Sequence, residues 1–199
     1  MNIISYVFGD SLYLNITNRC IMACLYCVKH KWANKFNGSD LKLEREPSAK
    51  EVIESIGDPK KYKDIVFCGY GDALIRIEEV KGISKWIKEN KGTVRINTAG
   101  LANAYHDRNV LPELKGLVDI ISVSLNGSNP KEHDKINNPM FKEKSFGEVI
   151  RFVNEAKKYI TKVIITSVEF PGFDTSKVKK IADKLGVCFR SRPYLDNEK

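Results

Sequence analysis

The chain has 199 residues, of which 42% are hydrophobic and 29% are charged, a balance typical of one globular domain. This composition excludes a disordered chain, and no apolar run approaches the roughly 20 residues of a transmembrane helix. Lysine and arginine outnumber the acidic residues by 33 to 25, and the resulting net charge of +8 weakly favours phosphate-rich partners.

The first predicted strand, residues 12–17, alternates apolar and polar side chains and leads directly into three cysteines. Cys20, Cys24 and Cys27 have the spacing C-x-x-x-C-x-x-C on the loop that leaves this strand. Three thiolates can hold three irons of a four-iron cluster, whereas the clusters of electron carriers use four protein ligands. The spacing therefore predicts a cluster with one open iron, the kind of position at which a small molecule binds.

Strands and helices alternate along the rest of the chain, as judged from apolar periodicity, helix caps and glycine stops. The further strands are predicted at residues 64–68, 93–97, 118–125, 162–168 and 187–192. The helices are predicted at residues 47–56, 77–90, 109–114, 146–159 and 175–185, and residues 126–144 are expected to be irregular.

Six strands separated by helices demand parallel pairing through right-handed crossovers. The number of units falls short of the eight in a complete barrel. We therefore expect an α/β fold of about six parallel strands, a partial and open (β/α)6 barrel. Residues 1–199 are expected to form this single domain without an accessory domain.

Each predicted strand ends in a small or polar cluster. Besides the cysteines, these clusters are residues 69–72, 97–100, 124–127, 169–172 and 192–194. The carboxyl ends of parallel strands share one edge of the sheet, where ligands bind. The clusters are therefore expected to form one site.

Two clusters have a direct chemical interpretation. Gly69 and Gly71 would bring backbone carbonyls close to an ammonium group, with Asp72 adding charge, although an ordinary tight turn has the same composition. Short side chains at the ends of the third and fourth strands suit hydrogen bonds to ribose hydroxyls or to a carboxylate. The alternative is that each of them caps a helix or satisfies a loop. These side chains are Asn97, Ser124 and Asn126.

The cysteine stretch resembles the radical S-adenosylmethionine (SAM) superfamily, whose hallmark is C-x-x-x-C-x-aromatic-C, with Tyr26 as the aromatic residue. The resemblance implies a partial barrel, a [4Fe-4S] cluster on the three cysteines and reductive cleavage of SAM to a 5′-deoxyadenosyl radical. The SAM contacts that it implies lie at Tyr26, Gly69, Tyr70, Gly71, Asp72, Asn97, Thr98, Ser124, Asn126 and Val168. Closer relatives usually have Glu-Pro where this chain has Asp72 and Ala73.

Within the superfamily, the chain is most similar to the small TatD-associated group. The matching elements are Asn-Ile-Thr-Asn-Arg-Cys, Phe-Cys-Gly-Tyr-Gly, Arg-Ile-Asn-Thr-Ala-Gly, Ser-Val-Ser-Leu-Asn-Gly and Phe-Arg-Ser-Arg-Pro-Tyr. The resemblance implies a TatD-type hydrolase as a partner and a flavodoxin or ferredoxin as the electron donor. An open barrel suits a peptide, protein or RNA substrate, and a small molecule under a lid at residues 31–46 is the alternative. Candidates for holding an anionic substrate are Arg19, Lys29, Arg76, Arg192 and Tyr194.

A different class of function fits the same cysteines. Together with His30 they match a Cys₃His zinc knot, which would make the chain a non-catalytic nucleic-acid-binding module with its basic surface as the contact. Cys68 and Cys188 are expected to be buried thiols of the core. The amino terminus lacks the pattern of a secretory signal, so the cytoplasm is the expected location.

Overall fold

The computed structural model describes residues 2–31, 35–36 and 39–194. Its strands are β1 (Ser5–Phe8), β2 (Ser11–Leu14), β3 (Lys35–Phe36), β4 (Ser39–Asp40), β5 (Ile65–Phe67), β6 (Val94–Thr98), β7 (Ile120–Ser124), β8 (Lys162–Glu169) and β9 (Cys188–Pro193). Its helices are α1 (Val28–Lys31), α2 (Ala49–Ile56), α3 (Ile77–Glu89), α4 (Ala102–Tyr105), α5 (Pro130–Asn137), α6 (Lys144–Tyr159) and α7 (Thr175–Leu185). Short 3₁₀ turns lie at Pro59–Lys61, Ala73–Arg76 and Leu111–Leu114.

One seven-stranded sheet organises the molecule, in the order β1-β2-β5-β6-β7-β8-β9. Every neighbouring pair from β2 to β9 is parallel, as crossover connections through helices require. The sheet does not close, because β1 and β9 are its two edges. The predicted α/β fold with an open, partial barrel is therefore confirmed.

The strand β1 was not predicted. It pairs antiparallel with β2, and the two-residue connection Gly9-Asp10 joins them, with Gly9 at a φ of 60°. Positive φ at the first residue of a two-residue hairpin favours glycine. The small antiparallel pair of β3 and β4 lies within the predicted lid segment, of which residues 32–34 and 37–38 are outside the described part.

Two other segments differ from the expectation. The region expected to be irregular contains α5, which begins as helices often do, with Asn129 accepting a hydrogen bond from the Glu132 amide and Pro130 at the first helical position. Residues 109–114 hold only the short 3₁₀ turn instead of an α-helix. The other predicted helices are confirmed, including the reciprocal capping hydrogen bonds of Ser48 and Glu51 at the start of α2.

The strands present two different faces. Alternate residues such as Phe67, Ile96 and Val123 are fully buried against apolar side chains of α3 and α6 in the main core. The opposite side is here called the inner face. According to the strand register, it carries Tyr13, Val66, Arg95, Asn97, Ile120, Ser122, Ser124, Lys162, Ile164, Thr166, Val168, Cys188, Arg190 and Arg192. The inner face is therefore much more polar than the core face.

None of the helices in the described ranges combines the length and the apolar character needed to cross a bilayer.

Candidate functional site

Residues 15–27, here called the cysteine loop, leave the carboxyl end of β2, as the sequence predicted. Backbone hydrogen bonds tie this loop on two sides. On one side the Asp72 amide donates to the Arg19 carbonyl at 2.9 Å. On the other side the Ala23 amide donates to the Asn137 carbonyl at 3.0 Å, and Leu25 makes a similar bond to Ile136 at 2.9 Å. The loop is thus held between residues 69–72 and the end of α5.

The two glycines of the segment 69–72 are required by this close packing. A Cβ atom on Gly71 would lie 2.3 Å from the Arg19 carbonyl oxygen and 2.6 Å from that of Thr17. A Cβ on Gly69 would lie 2.9 Å from the Asn15 Cα atom. Such distances leave no room for a side chain. Glycine is predicted at these positions because a ligand lies close by. The structure gives a second reason for glycine, which is the close approach of the two loop backbones.

Asn137, near the end of α5, connects the cysteine loop to the fourth parallel strand. Its side-chain amide donates to the Asn126 carbonyl at 2.6 Å, and its Oδ1 accepts from the Tyr26 hydroxyl at 3.0 Å. The Cys24 thiol donates to the same oxygen at 3.6 Å. Asn137 is fully buried, so these bonds form away from water and keep their strength. The sequence analysis missed this residue.

Asn126 is the second centre of the network. Its Nδ2 donates to the Tyr26 hydroxyl at 2.5 Å, and its Oδ1 accepts from the Val168 amide at 2.8 Å. The structure thus brings together three residues from distant segments that the sequence assigned to one site. Asn126 is fully buried, and both polar atoms of its side chain have hydrogen-bond partners within the protein. The predicted direct contact with ribose or a carboxylate stays a prediction.

The side chain of Asp72 also makes its hydrogen bonds within the protein. Its Oδ2 accepts from the Thr98 hydroxyl and the Ala99 amide, each at 2.8 Å, while its Oδ1 accepts from the Leu74 amide at 3.1 Å. The carboxyl group is buried, and burial raises its pKa while these donors oppose the shift. Asp72 therefore caps the 3₁₀ turn and joins the ends of β5 and β6, and its charge is turned toward protein donors.

Other predicted groups keep unused hydrogen-bonding capacity. The buried Asn97 Oδ1 has no hydrogen-bond partner in the described ranges. The carbonyls of Gly69 and Gly71 accept no hydrogen bond from any described residue. Ser124 accepts from Arg192 Nη2 at 3.3 Å, which leaves its own proton available. These groups at the carboxyl edge can receive or donate to a ligand.

The three cysteines share the cysteine loop, but their thiols are not preformed as a metal site. Within the described ranges, no three Cys, His, Asp or Glu side chains are arranged to hold a metal ion. The pKa of the Cys24 thiol is raised to about 12, chiefly by burial and to a smaller extent by negative charge on Cys20 and Cys27, while a hydrogen bond with Tyr26 opposes the shift. A bound cation would reverse this effect, because a coordinated thiol loses its proton. The donor set and its spacing fit an iron–sulfur cluster, and they carry the metal assignment.

Most of the candidate cations hold the cysteine loop instead of facing open space. Arg76 is buried and donates to the Ile16 and Pro47 carbonyls at 2.8 Å each. Arg19 pairs with Glu46 at 2.7 Å, and Lys29 donates to the Asn18 carbonyl at 2.8 Å. Arg192 lies on the inner face, and Tyr194 ends the described chain.

The predictions for Cys68, Cys188 and the candidate zinc ligand His30 compare differently with the structure. Cys68 is half-buried, but Cys188 is exposed because β9 is an edge of the sheet, so its expected place in the core was wrong. The side chain of His30 lies outside the described residues. The zinc-knot alternative therefore stays a prediction.

Replacing Gly71 with alanine tests the close approach of the two loops. Gly71→Ala should lower the free energy of unfolding by about 2 kcal/mol or more, because backbone atoms obstruct the added methyl group. Gly82→Ala is the matched control, since a Cβ there meets nothing within 4 Å in the middle of α3. It should raise stability by up to about 1 kcal/mol. Urea denaturation of both variants checks this, and equal effects would contradict the packing.

Removing the Asn137 side chain tests the hydrogen-bond network. Asn137→Ala leaves the Tyr26 hydroxyl and the Asn126 carbonyl short of a partner, so unfolding free energy should fall by about 2–3 kcal/mol. The neighbouring Asn138 is exposed, and its backbone has the left-handed conformation, with a φ of 38°. Asn138→Gly should therefore change stability by less than about 0.5 kcal/mol. An Asn137→Ala variant as stable as the parent chain in thermal and urea melts would refute this role.

Solved structures share the fold of this chain at low sequence identity. TYW1 with a lysine-pyruvate adduct matches with a TM-score of 0.65 and 13% identity over 96% of this chain and 67% of that one. Streptococcus suis SuiB bound to its precursor peptide SuiA matches with 0.65 and 13%, over 96% and 42%. Native anSMEcpe with bound AdoMet and the Cp18Cys peptide matches with 0.66 and 19%, over 94% and 51%. The chain thus spans between two fifths and two thirds of these proteins.

No curated protein matches the chain in sequence. The family model described as Radical SAM superfamily matches residues 14–185, which include the cysteine loop and all the parallel strands except β9 and the first residues of β2. The chain therefore belongs to the radical SAM superfamily.

Proposed function

We propose that this chain is a radical SAM enzyme that holds a [4Fe-4S] cluster on Cys20, Cys24 and Cys27. When bound, the cluster and SAM supply reductive cleavage of the sulfonium to methionine and a 5′-deoxyadenosyl radical, which takes hydrogen from the substrate. Members of this superfamily are enzymes, and cofactors of this kind carry the difficult chemistry themselves. The observation that carries the proposal is the cysteine loop itself, fastened on both sides at the carboxyl edge of the sheet.

The protein's own contribution is to place the thiolates and the nucleotide. Asn137 and Asn126 fix Tyr26, and Tyr26 lies between two of the three cysteines in the sequence. This network restricts where the last two thiolates of the loop can lie. Backbone anchors at Arg19 and Ala23 restrict the loop around Cys20. Positioning of this kind lowers the entropic cost of assembling a reactive centre.

The SAM contacts follow from the groups with unused capacity. The Gly69 and Gly71 carbonyls would accept from the ammonium group, and Tyr70 belongs to the same turn. Asn97 and Ser124 would contact the ribose or the carboxylate. Val168 would provide an apolar surface for adenine beside the half-buried Tyr26. Thr98 and Asp72 would act indirectly, by holding the ends of β5 and β6 together.

The substrate is proposed to be a peptide or protein. Two of the structural neighbours have peptides bound, SuiB with SuiA and anSMEcpe with Cp18Cys, and this supports the class of substrate. The edge strands β1 and β9 do not pair with each other, and the opening that this leaves in the barrel is compatible with a long substrate. A flavodoxin- or ferredoxin-type electron donor, a TatD-type hydrolase partner and a cytoplasmic location complete the proposal. These three parts are supported by the sequence motifs and by the need for reduced thiolates.

The decisive variants compare a cysteine of the loop with an exposed cysteine elsewhere. After anaerobic reconstitution, the parent chain should carry about four irons and form 5′-deoxyadenosine with dithionite and SAM. Cys24→Ala should lose that product, because two thiolates remain where three are required. Cys188→Ser should retain it, since Cys188 lies on the edge strand β9, outside the cysteine loop.

The zinc alternative makes the opposite prediction. A colourless protein with one zinc per chain, released by His30→Ala and forming no 5′-deoxyadenosine, would overturn the enzyme assignment. Iron and zinc analysis of the same preparation separates the two outcomes.

A further inference from the structure

A short ribbon of two chain segments forms one wall of the cysteine loop. Residues 21–25 of the loop run antiparallel to residues 136–140, which include the end of α5, and the two segments are here called the loop ribbon. The Met140 and Leu25 amides each donate to a carbonyl of the other segment at 2.9 Å. Cys24 belongs to the loop ribbon, so a surface on this ribbon lies next to the proposed cluster.

Neighbouring residues of the loop ribbon differ sharply in burial. Asn137 is fully buried, and its Oδ1 accepts from the Cys24 thiol at 3.6 Å. In contrast, Leu25 is 65% exposed, Met140 is 60% exposed, and Ala23 is also exposed. Because Leu25 directly follows Cys24, the loop ribbon presents apolar side chains to solvent one residue away from a proposed cluster ligand.

Exposed side chains of this kind are scarce in the protein. Within the described ranges, only four large hydrophobic side chains are exposed, and Leu25 and Met140 are two of them. The other two, Val7 and Phe8, lie together on the edge strand β1. Leu25 binds Ile136, four residues before Met140, so at most about 14 Å of chain separates the two exposed side chains along the loop ribbon. Paired apolar side chains on one fixed surface, with a methionine among them, are typical of a protein–protein contact.

The chain around the loop ribbon is basic. Residues 11–39, which contain the cysteine loop, have four lysines or arginines and no acidic residue, and residues 131–144 have four lysines and three acidic residues. These two segments carry a net charge of +5, more than half of the chain's +8. Lys142 donates to the neutral side-chain oxygen of Asn138 at 3.0 Å, which places a positive charge beside the loop ribbon. The surface therefore combines apolar contacts with positive charge, and this combination suits an acidic protein partner.

We infer that the loop ribbon is the docking surface for an acidic one-electron carrier protein of the flavodoxin or ferredoxin type, with Leu25 and Met140 as apolar contacts and Lys142 as a charged one. The inference rests on the proposed function, which requires a reduced partner to supply one electron. The carrier loses that electron and the cluster gains it, and no bond forms or breaks between the two proteins. Because electron transfer weakens steeply with distance, a carrier seated beside Cys24 is favoured over one seated elsewhere. The substrate must instead reach SAM at the carboxyl edge.

Binding of purified flavodoxin and of purified ferredoxin, each in its oxidised form, tests this surface without requiring any chemistry. Isothermal titration calorimetry with the anaerobically reconstituted chain gives each dissociation constant. At least one of the two carriers should bind. Its affinity should fall about tenfold when salt is raised, because the Debye length shortens from about 30 Å at 0.01 M to about 10 Å at 0.1 M.

Met140→Glu is the informative variant. It removes an apolar contact and adds a charge of the carrier's own sign, so it should weaken binding of the preferred carrier about tenfold. Val7→Glu is the matched control, because it changes the net charge equally and Val7 is 56% exposed. Val7 pairs with Leu12 near the start of β2, whereas the cysteine loop follows the end of that strand. Val7→Glu should leave the affinity unchanged.

Reduction by dithionite separates docking from catalysis. Dithionite is a small molecule that needs no docking surface, so Met140→Glu should form 5′-deoxyadenosine with dithionite at the rate of the parent chain. With the reduced carrier, supplied below its dissociation constant, the same variant should form this product about tenfold more slowly, since the bound fraction falls with the affinity.

No binding of either carrier, equal affinities of Met140→Glu and Val7→Glu, or equal losses of Met140→Glu with dithionite and with the carrier would overturn the inference. A chain that forms no 5′-deoxyadenosine with dithionite but binds a carrier through Met140 would refute the proposed function alone. A chain that forms this product with dithionite but binds the carrier independently of Met140 would refute the docking surface alone.

Discussion

The double attachment of the cysteine loop is the constraint on which the site depends. A loop that leaves a strand is ordinarily free to move, but here residues 69–72 bind one side and the end of α5 binds the other. Glycines at two positions make the first contact close enough, and the buried amide of Asn137 completes the second. The three cysteines are therefore presented from a short segment that is fastened to the turn after β5 on one side and to the end of α5 on the other.

This attachment determines which of the polar residues remain available. The side chains of Asp72, Thr98 and Asn126 make hydrogen bonds to protein groups that join neighbouring loops and strand ends. Backbone carbonyls, Asn97 and Ser124 remain for a ligand at the carboxyl edge. Below them, the inner face carries more polar side chains than the core face of the sheet. The carboxyl edge is therefore the part of the sheet where hydrogen-bonding groups remain available to a ligand.

The sequence predicts the sheet well, since apolar periodicity and helix caps are local signals. The Gly9-Asp10 turn and the Asn129-Pro130 helix start are also local signals, and they would have revealed β1 and α5. Asn137 is different, because its hydrogen bond to Tyr26 joins residues 111 positions apart in the sequence. No local sequence pattern indicates this contact. Likewise, the sequence places Asp72 and Asn126 at the site, but only tertiary contacts show that their side chains face protein donors and acceptors.

The most direct test of the account is electron paramagnetic resonance of the reconstituted, dithionite-reduced chain, recorded with and without SAM. If three cysteines leave one iron open to SAM, the reduced chain gives a [4Fe-4S] signal whose g values shift when SAM is added. Identical spectra in the two samples, or a zinc-containing chain with no signal, would contradict the account.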